Sequence, residues 1–180
     1  MRILILLAML ATATPALANE PGEVLDAYFN ILTSRDFATI AQMMDEDDMA
    51  RLKSMMDVAM KAEADRGVYQ LQERVFGERV DMETIESTTA EFYLEEIAGE
   101  ILTAANRSHF FVDDWHLIGS VAETDEVVHY VVRLDMSQDG KTSQEIFVYT
   151  LVLHGEDWQL KFPPTIKQII TSLEASTNIR

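Results

Sequence analysis

Residues 115–162 read WHLIGSVAETDEVVHYVVRLDMSQDGKTSQEIFVYTLVLHGEDWQLKF, and their reading decides the fold. Apolar and polar residues alternate through most of this stretch, the period of strands with one buried face. Three turn signals divide it into four strands: Glu123-Thr124-Asp125-Glu126, Asp139-Gly140 and Gly155 to Asp157. Asp-Gly suits a type I′ hairpin, whose two central residues both need positive φ. A two-residue loop there sets Tyr130 opposite Tyr149 and Val132 opposite Phe147. A loop at Thr124-Asp125 sets Ser120 opposite His129 and His116 beside Arg133. The last turn brings Leu153 to Trp158 and Leu151 to Leu160.

On this register one face carries Trp115, Leu117, Val121, Val128, Tyr130, Val132, Leu134, Phe147, Tyr149, Leu151, Leu153, Trp158, Leu160 and Phe162. The opposite face carries His116, Ile118, Ser120, His129, Val131, Arg133, Asp135, Ile146 and Val148. A one-residue slip would exchange the two sets, so the pairing is strongly specified. The first face is what a sheet packed against helices needs.

Upstream of the strands the apolar period is helical. Val24, Leu25, Tyr28, Phe29 and Leu32 follow Pro21-Gly22, and Asp36 can cap a short helix that buries Phe37, Ile40, Ala41 and Met44. Asp45 to Asp48 places acids at the positive end of a third helix, with Met49, Leu52, Met56, Ala59 and Met60 on one stripe. Gly67 interrupts the pattern, and Leu71, Val75 and Phe76 resume it up to Gly77. Thr88 and Glu91 have capping-box spacing ahead of Phe92, Tyr93, Ile97 and Ile101, and Asn106 suits the C-cap. After Pro163-Pro164, the spacing of Ile166, Ile169, Ile170 and Leu173 predicts a closing helix. The expected class is α+β: N-terminal helices (residues 21–106) packed on a curved four-stranded antiparallel meander (109–162), with a C-terminal helix (165–175).

Met1-Arg2, the uncharged run Ile3 to Ala11 and Ala16-Leu17-Ala18 make the pattern of a secretory signal peptide over residues 1–18. The run is too short to span a bilayer as a helix, so the expected localisation is periplasmic or secreted, with no stable membrane insertion. Residues 19–180 suit a single domain large enough for a real core. The chain has no cysteine, so packing must replace disulfides and thiolate metal sites. The formal charge is −17, with acids spread from Glu20 to Glu174, a field that repels phosphate backbones. Nucleic-acid binding is therefore excluded from the expected partners.

Helices followed by a long antiparallel sheet with an Asp-Gly hairpin, closed by Asp157-Trp158-Gln159-Leu160-Lys161-Phe162, resemble the nuclear transport factor 2-like superfamily, the cone of SnoaL-like cyclases and ketosteroid isomerases. Tyr28 to Asp36 is similar to that family's first helix. The resemblance implies a pocket between the concave sheet face and the helices, and dimerisation through the other sheet face.

Candidate chemistry follows from the two faces. Ser120, His129, His116, Arg133 and Asp135 could offer a nucleophile and base, yet they lie opposite the expected pocket and no oxyanion-hole motif accompanies them. His116, Ile118, Ser120, His129, Val131, Arg133 and Val148 are instead expected to form a homodimer face. The expected pocket residues are Tyr28, Met56, Met60, Tyr93, Leu117, Tyr130, Val132, Phe147, Tyr149 and Trp158. An enzyme built on this pocket would use Glu145, at the rim, or a helix-borne acid as base with Tyr130 or Tyr149 as polariser, since no aspartate or histidine of the strands points inward. The methionines Met43, Met44, Met49, Met55, Met56 and Met60 could bind Cu(I) as thioethers, but core packing accounts for them better. Asp45-Glu46-Asp47-Asp48 lacks the glycine and distal glutamate of a calcium loop. No cofactor and no metal is expected. The reading is an exported binding protein for a small apolar molecule or lipid; a cyclase, isomerase or dehydratase, and a protein-interaction module, are the alternatives.

Overall fold

The computed structural model describes residues 20–34, 37–164, 166–168, 170 and 171, with every side chain among them except those of 33, 34, 37, 38 and 110. The expected leader at 1–18, the Asp36 cap, the Phe37 side chain and the far end of the closing helix lie outside the described residues. Helices α1 (Pro21–Ser34), α2 (Phe37–Met43), α3 (Glu46–Asp65), α4 (Gln70–Phe76), α5 (Met82–Ser87) and α6 (Ala90–Arg107) come first. Strands β1 (Phe110–Thr124), β2 (Val127–Gln138), β3 (Lys141–His154) and β4 (Asp157–Leu160) follow as one antiparallel meander in chain order. Residues 164, 166–168, 170 and 171 are helical and close the chain, with Ile170 buried. The fold is α+β.

Local chemistry sets most helix ends. Asp45 caps α3, accepting from the Asp48 N–H at 2.9 Å, and Glu46, Asp47 and Asp48 occupy the first turn. The acidic run is therefore a helix start, and the stripe Met49, Leu52, Met56, Ala59 and Met60 is buried behind it. Gly77 closes α4 at φ 74°, a left-handed position where a side chain would be strained. The expected caps of α6 are each off by a residue or two. Thr89, not Thr88, accepts from the Phe92 N–H, because Thr88 ends α5 and donates its hydroxyl to the Thr84 carbonyl. The helix runs through Arg107 to Ser108, past Asn106, since the Ser108 backbone and hydroxyl both reach the Ala104 carbonyl. Helix α5 has no counterpart in the sequence reading: it is six residues long and buries one side chain, Ile85.

Strands β2, β3 and β4 pair as their turns dictate: Tyr130 faces Tyr149, Val132 faces Phe147, Leu151 faces Leu160 and Leu153 faces Trp158. Asp139 and Gly140 both have positive φ. Strand β1 departs from the expected alternation. His116 does oppose Arg133, but register shifts at Val112/Asp114, Leu117/Gly119 and Ala122/Thr124 insert extra residues. Ser120 consequently opposes Tyr130 and Val121 opposes His129, so these two residues exchange faces relative to the expectation. Val121 is 62% exposed on the outer face.

The core lies between the helices and the inner face of β2, β3 and β4. Val132, Leu151 and Leu160 are fully buried there, against Leu25, Leu52, Met56 and Met60. A second anchor sits at the α2–α3 junction. The Asp45 N–H donates to the Leu160 carbonyl at 2.9 Å, and Phe162 N–H donates to Asp48 Oδ2 at 2.8 Å. The start of α3 is thereby tied to the end of the sheet.

Candidate functional site

A cavity of about 580 Å³ opens between the C-terminal part of α1, the C-terminal half of α6, the sheet and the Pro163-Pro164 turn. That size lies within the roughly 300–1,000 Å³ typical of small-molecule sites. Its sheet side is aromatic. Phe29 stacks on Trp115 with centroids 4.6 Å apart and planes 14° from parallel, and meets Tyr149 edge-on at 5.2 Å. Tyr28 adds a fourth ring, 5.9 Å from Tyr149. Leu94, Ala98, Ile101, Leu102 and Ala105 form the α6 wall, spaced at three and four residues along one stripe. The exposed start of β1, Phe111 to Asp114, borders the cavity, but the Asp113 and Asp114 carboxylates turn to the outer face, to the Ser137 hydroxyl at 3.1 Å and to His116 at 3.5 Å.

The tyrosine hydroxyls are poor acids here. Burial drives the Tyr149 phenol up to about 12, and burial followed by the neighbouring Tyr149 drives Tyr28 higher still. Tyr130 is also raised, first by burial and then by the charges of Glu20 and Asp26. All three stay neutral at physiological pH and offer hydrogen bonds, not phenolate.

Of the expected pocket residues, Tyr28, Phe147 and Tyr149 line the cavity. Met56, Met60, Val132 and Trp158 are buried instead in the packed core that the helices share with the inner sheet face. Tyr130 points toward the start of α1, its hydroxyl 3.5 Å from where a Cβ on Gly22 would sit. Tyr93 lies in the helical layer, donating to Asp57 Oδ1 at 3.0 Å and to the Ile85 carbonyl at 3.3 Å. Leu117 is 52% exposed, since β1 is the edge strand and its middle lies outside the helical cover. The reading by strands alone missed the α6 wall, although the spacing of Ile97 and Ile101 marked its apolar stripe.

The residues of the enzyme alternative are not assembled. Glu145 is exposed and lies four residues along β3 from Tyr149, about 13 Å at the rise of a strand. The tyrosine–carboxylate pair Tyr93–Asp57 lies outside the cavity, with Asp57 held by Lys53 at 2.7 Å.

The outer-face cluster is a set of local ion contacts. His129 meets Thr150 Oγ1 at 3.0 Å and Glu123 Oε2 at 2.8 Å, and Ser120 is not its cross-strand neighbour. The expected Ser120–His129 pairing is therefore wrong, and Ser120 leaves the outer face with it. His116 sits 3.3 Å from Asp135 and 3.5 Å from Asp114, and Arg133 lies 3.8 Å from Asp135. Around these contacts, Ile118, Val121, Ile146 and Val148 are all more than half exposed.

Two groups among the described residues have cation-ligand spacing, Asp45/Asp47/His154 and Asp114/His116/Asp135. In the first, Asp45 is fully buried and already occupied. Oδ1 accepts from the Asp48 N–H and the Lys161 ammonium, and Oδ2 lies 2.8 Å from His154 Nε2. In the second, Arg133 already accompanies Asp135. Burial pushes the Asp45 carboxyl up, but hydrogen bonds from Lys161, the Asp48 N–H and His154, with the Lys161 charge, bring it below the ordinary carboxylate value. Asp45 is a structural anchor that joins α3 to β3 and β4, and its partners 109 and 116 residues away gave no local signal.

No protein-family model matches the chain, and no significant match exists among curated proteins or solved structures.

Proposed function

We propose that this chain is an exported, non-catalytic binding protein that holds a small apolar or aromatic molecule, a lipid chain included, in the cavity between α1, α6 and the sheet. The observation that carries this reading is the cavity itself, about 580 Å³ bounded by aromatic rings from α1, β1 and β3 and the apolar stripe of α6. Rigid rings and aliphatic walls bind by removing apolar surface from water, at about 25 cal/mol for each Å² buried. The inward tyrosines supply hydrogen bonds that orient a ligand without ionising. Helices followed by a curved meander support placing the chain with the nuclear transport factor 2-like cones.

Native mass spectrometry of the purified protein, with solvent extraction of anything bound, tests the reading. A co-purifying organic molecule, lost from a correctly folded Ala98→Trp variant that fills the α6 wall, is the expected outcome. Trp115 fluorescence gives a second readout, because its indole lines the cavity. If nothing co-purifies and Trp115 fails to respond to a series of long-chain alcohols, the reading is abandoned.

A second reading rests on a separate observation, the apolar outer face. Ile118, Val121, Ile146 and Val148 surround Arg133, Asp135, His129 and Glu123, a mixture of signs in a strongly acidic chain. Such a patch is self-complementary about a two-fold axis, and we assign its occupant as a second copy of this chain. Sedimentation of Ile146→Asp and Val148→Asp should show dissociation; wild-type and variant sedimenting alike as monomers would remove this interface.

A further inference from the structure

We infer that the cavity selects a neutral ligand carrying a carbonyl oxygen, a ketone or ester on an apolar body, over a hydrocarbon and over a carboxylate of the same length. This rests on the cavity being a ligand site, as proposed above, and adds the polar group that the ligand must bring. Tyr28 and Tyr149 line the cavity at only 7% and 6% exposure. Neither phenol has a hydrogen-bond partner among the described residues, and no hydrogen bond contributes to the upward shift of either. The two oxygens are not sealed in by packing. Among the described residues, the buried side-chain polar atoms without a partner are Arg133 Nε and Asp135 Oδ1. Each phenol oxygen therefore borders open space, and the space that these two side chains line together is the cavity.

A buried tyrosine ordinarily finds an acceptor. Tyr93 has two, Asp57 Oδ1 at 3.0 Å and the Ile85 carbonyl at 3.3 Å. Tyr28 and Tyr149 have none, and burial keeps both protonated, so each holds a proton to donate. Their rings lie 5.9 Å apart, and the charge of Tyr149 is felt at Tyr28, so the two donors serve one end of a ligand. The walls around them are apolar: Phe29, Leu94, Ile101, Leu134, Phe147 and Ile166. A hydrocarbon entering here strips water from two donors and returns nothing. A carbonyl oxygen, with two lone pairs and no proton of its own, returns both bonds. A carboxylate also accepts, but it sheds its hydration where no lysine, arginine or histidine lines the wall, in a chain of net charge −17.

The probes are 2-octanone, octane and octanoate at pH 8. Loss of vapour from the headspace over the protein reads the first two, and equilibrium dialysis reads octanoate. The two volatile probes are compared after subtracting each one's own partition between water and hexane, so that the solvent's preference is not counted as the protein's. On that scale 2-octanone should exceed octane by about tenfold or more, at roughly two- to tenfold for each hydrogen bond. Tyr28→Phe with Tyr149→Phe keeps both rings, and should remove that advantage while octane binds equally or more tightly. Tyr130→Phe, at a hydroxyl beside the start of α1 and outside the cavity, should change neither. Octanoate should bind more weakly than 2-octanone. The infrared carbonyl band of bound 2-octanone should lie below its position in hexane, and return toward it in the double variant.

A 2-octanone affinity equal to that of octane on the corrected scale, or indifferent to the double variant, overturns this inference and leaves the apolar site standing. Octanoate binding as tightly as 2-octanone overturns it too. Binding of none of the three refutes the site and the inference together. Neither hydroxyl has a protein partner to lose, so the double variant should be at least as stable as wild type in urea unfolding. If it nevertheless fails to fold, the wild-type infrared band decides: a band at its hexane position overturns the inference, and one below it sustains it.

Discussion

Replacing Asp45 by alanine should loosen the join between helices and sheet more than the size of the change suggests. The side chain is fully buried, and its two oxygens serve three donors on α3, β3 and the residue after β4. Loss of the α3 cap alone costs about 1 kcal/mol. The contacts to Lys161 and His154 are charge-assisted and would count for about 1.5–3 kcal/mol each if fully buried. Lys161 and His154 retain 26% and 30% exposure, however, so both can turn to water when the carboxylate is gone. Discounted for that, the two together contribute about 1–2 kcal/mol, and the whole substitution about 2–3 kcal/mol. For a domain of this size that is roughly 4–12 °C in Tm. Asp45→Asn keeps an acceptor for the Asp48 N–H and should lose about half as much. The folded carboxyl lies below its ordinary value of about 3.9. Its contribution is therefore present above that pH and lost as pH falls through the lower folded value. Urea unfolding should show the gap between wild type and Asp45→Asn at pH 5–7 and its narrowing below about pH 4. An Asp45→Ala variant within about 0.5 kcal/mol of wild type at pH 7 would refute the anchor.

Other expectations concern separate parts of the molecule. Met60→Ala, at a fully buried position on the α3 stripe, should cost about 2–5 kcal/mol in urea unfolding. Tyr93→Phe removes a donor to Asp57 and Ile85 and should cost about 1 kcal/mol by the same measurement, with Asp57 retaining Lys53. Gly140→Ala places a Cβ at φ 77° in the hairpin and should lower stability by about 1 kcal/mol. Tyr149 should ionise only near pH 12 in an absorbance titration. Its raised folded value means that stability is full below pH 10 and falls as pH climbs from 10 toward 12, a loss that Tyr149→Phe should reduce.

Much of the sheet was legible because its signals are local. Asp139-Gly140 has one favoured turn geometry, and the alternation along β2 and β3 leaves a single register that buries Val132 and Leu151 together. Strand β1 misled because its bulges add residues without adding a turn signal. Leu117 and Val121 keep the odd-numbered apolar pattern in sequence, yet the shift at Leu117/Gly119 puts them on opposite faces. Helix α5 is too short for periodicity to register. The cavity was half legible: Tyr28, Phe147 and Tyr149 belong to visible stripes, but the opposing wall depends on where α6 crosses the sheet. The Asp45 anchor joins residues far apart in the chain, and no local pattern encodes such a meeting.

The two borders of the sheet are both unsuited to growth by strand addition. At β4, the backbone of Met44 and Asp45 already pairs with Leu160, so a new strand would have to displace the α2–α3 junction. At β1, three bulges break the row of free amides and carbonyls, and Asp113, Asp114 and Glu123 line it with like charge. Edges interrupted and charged in this way resist the templated pairing that leads to fibrils. A chain with no disulfide to limit its unfolding can thus be held at high concentration, or pass through partial opening, with association confined to its faces.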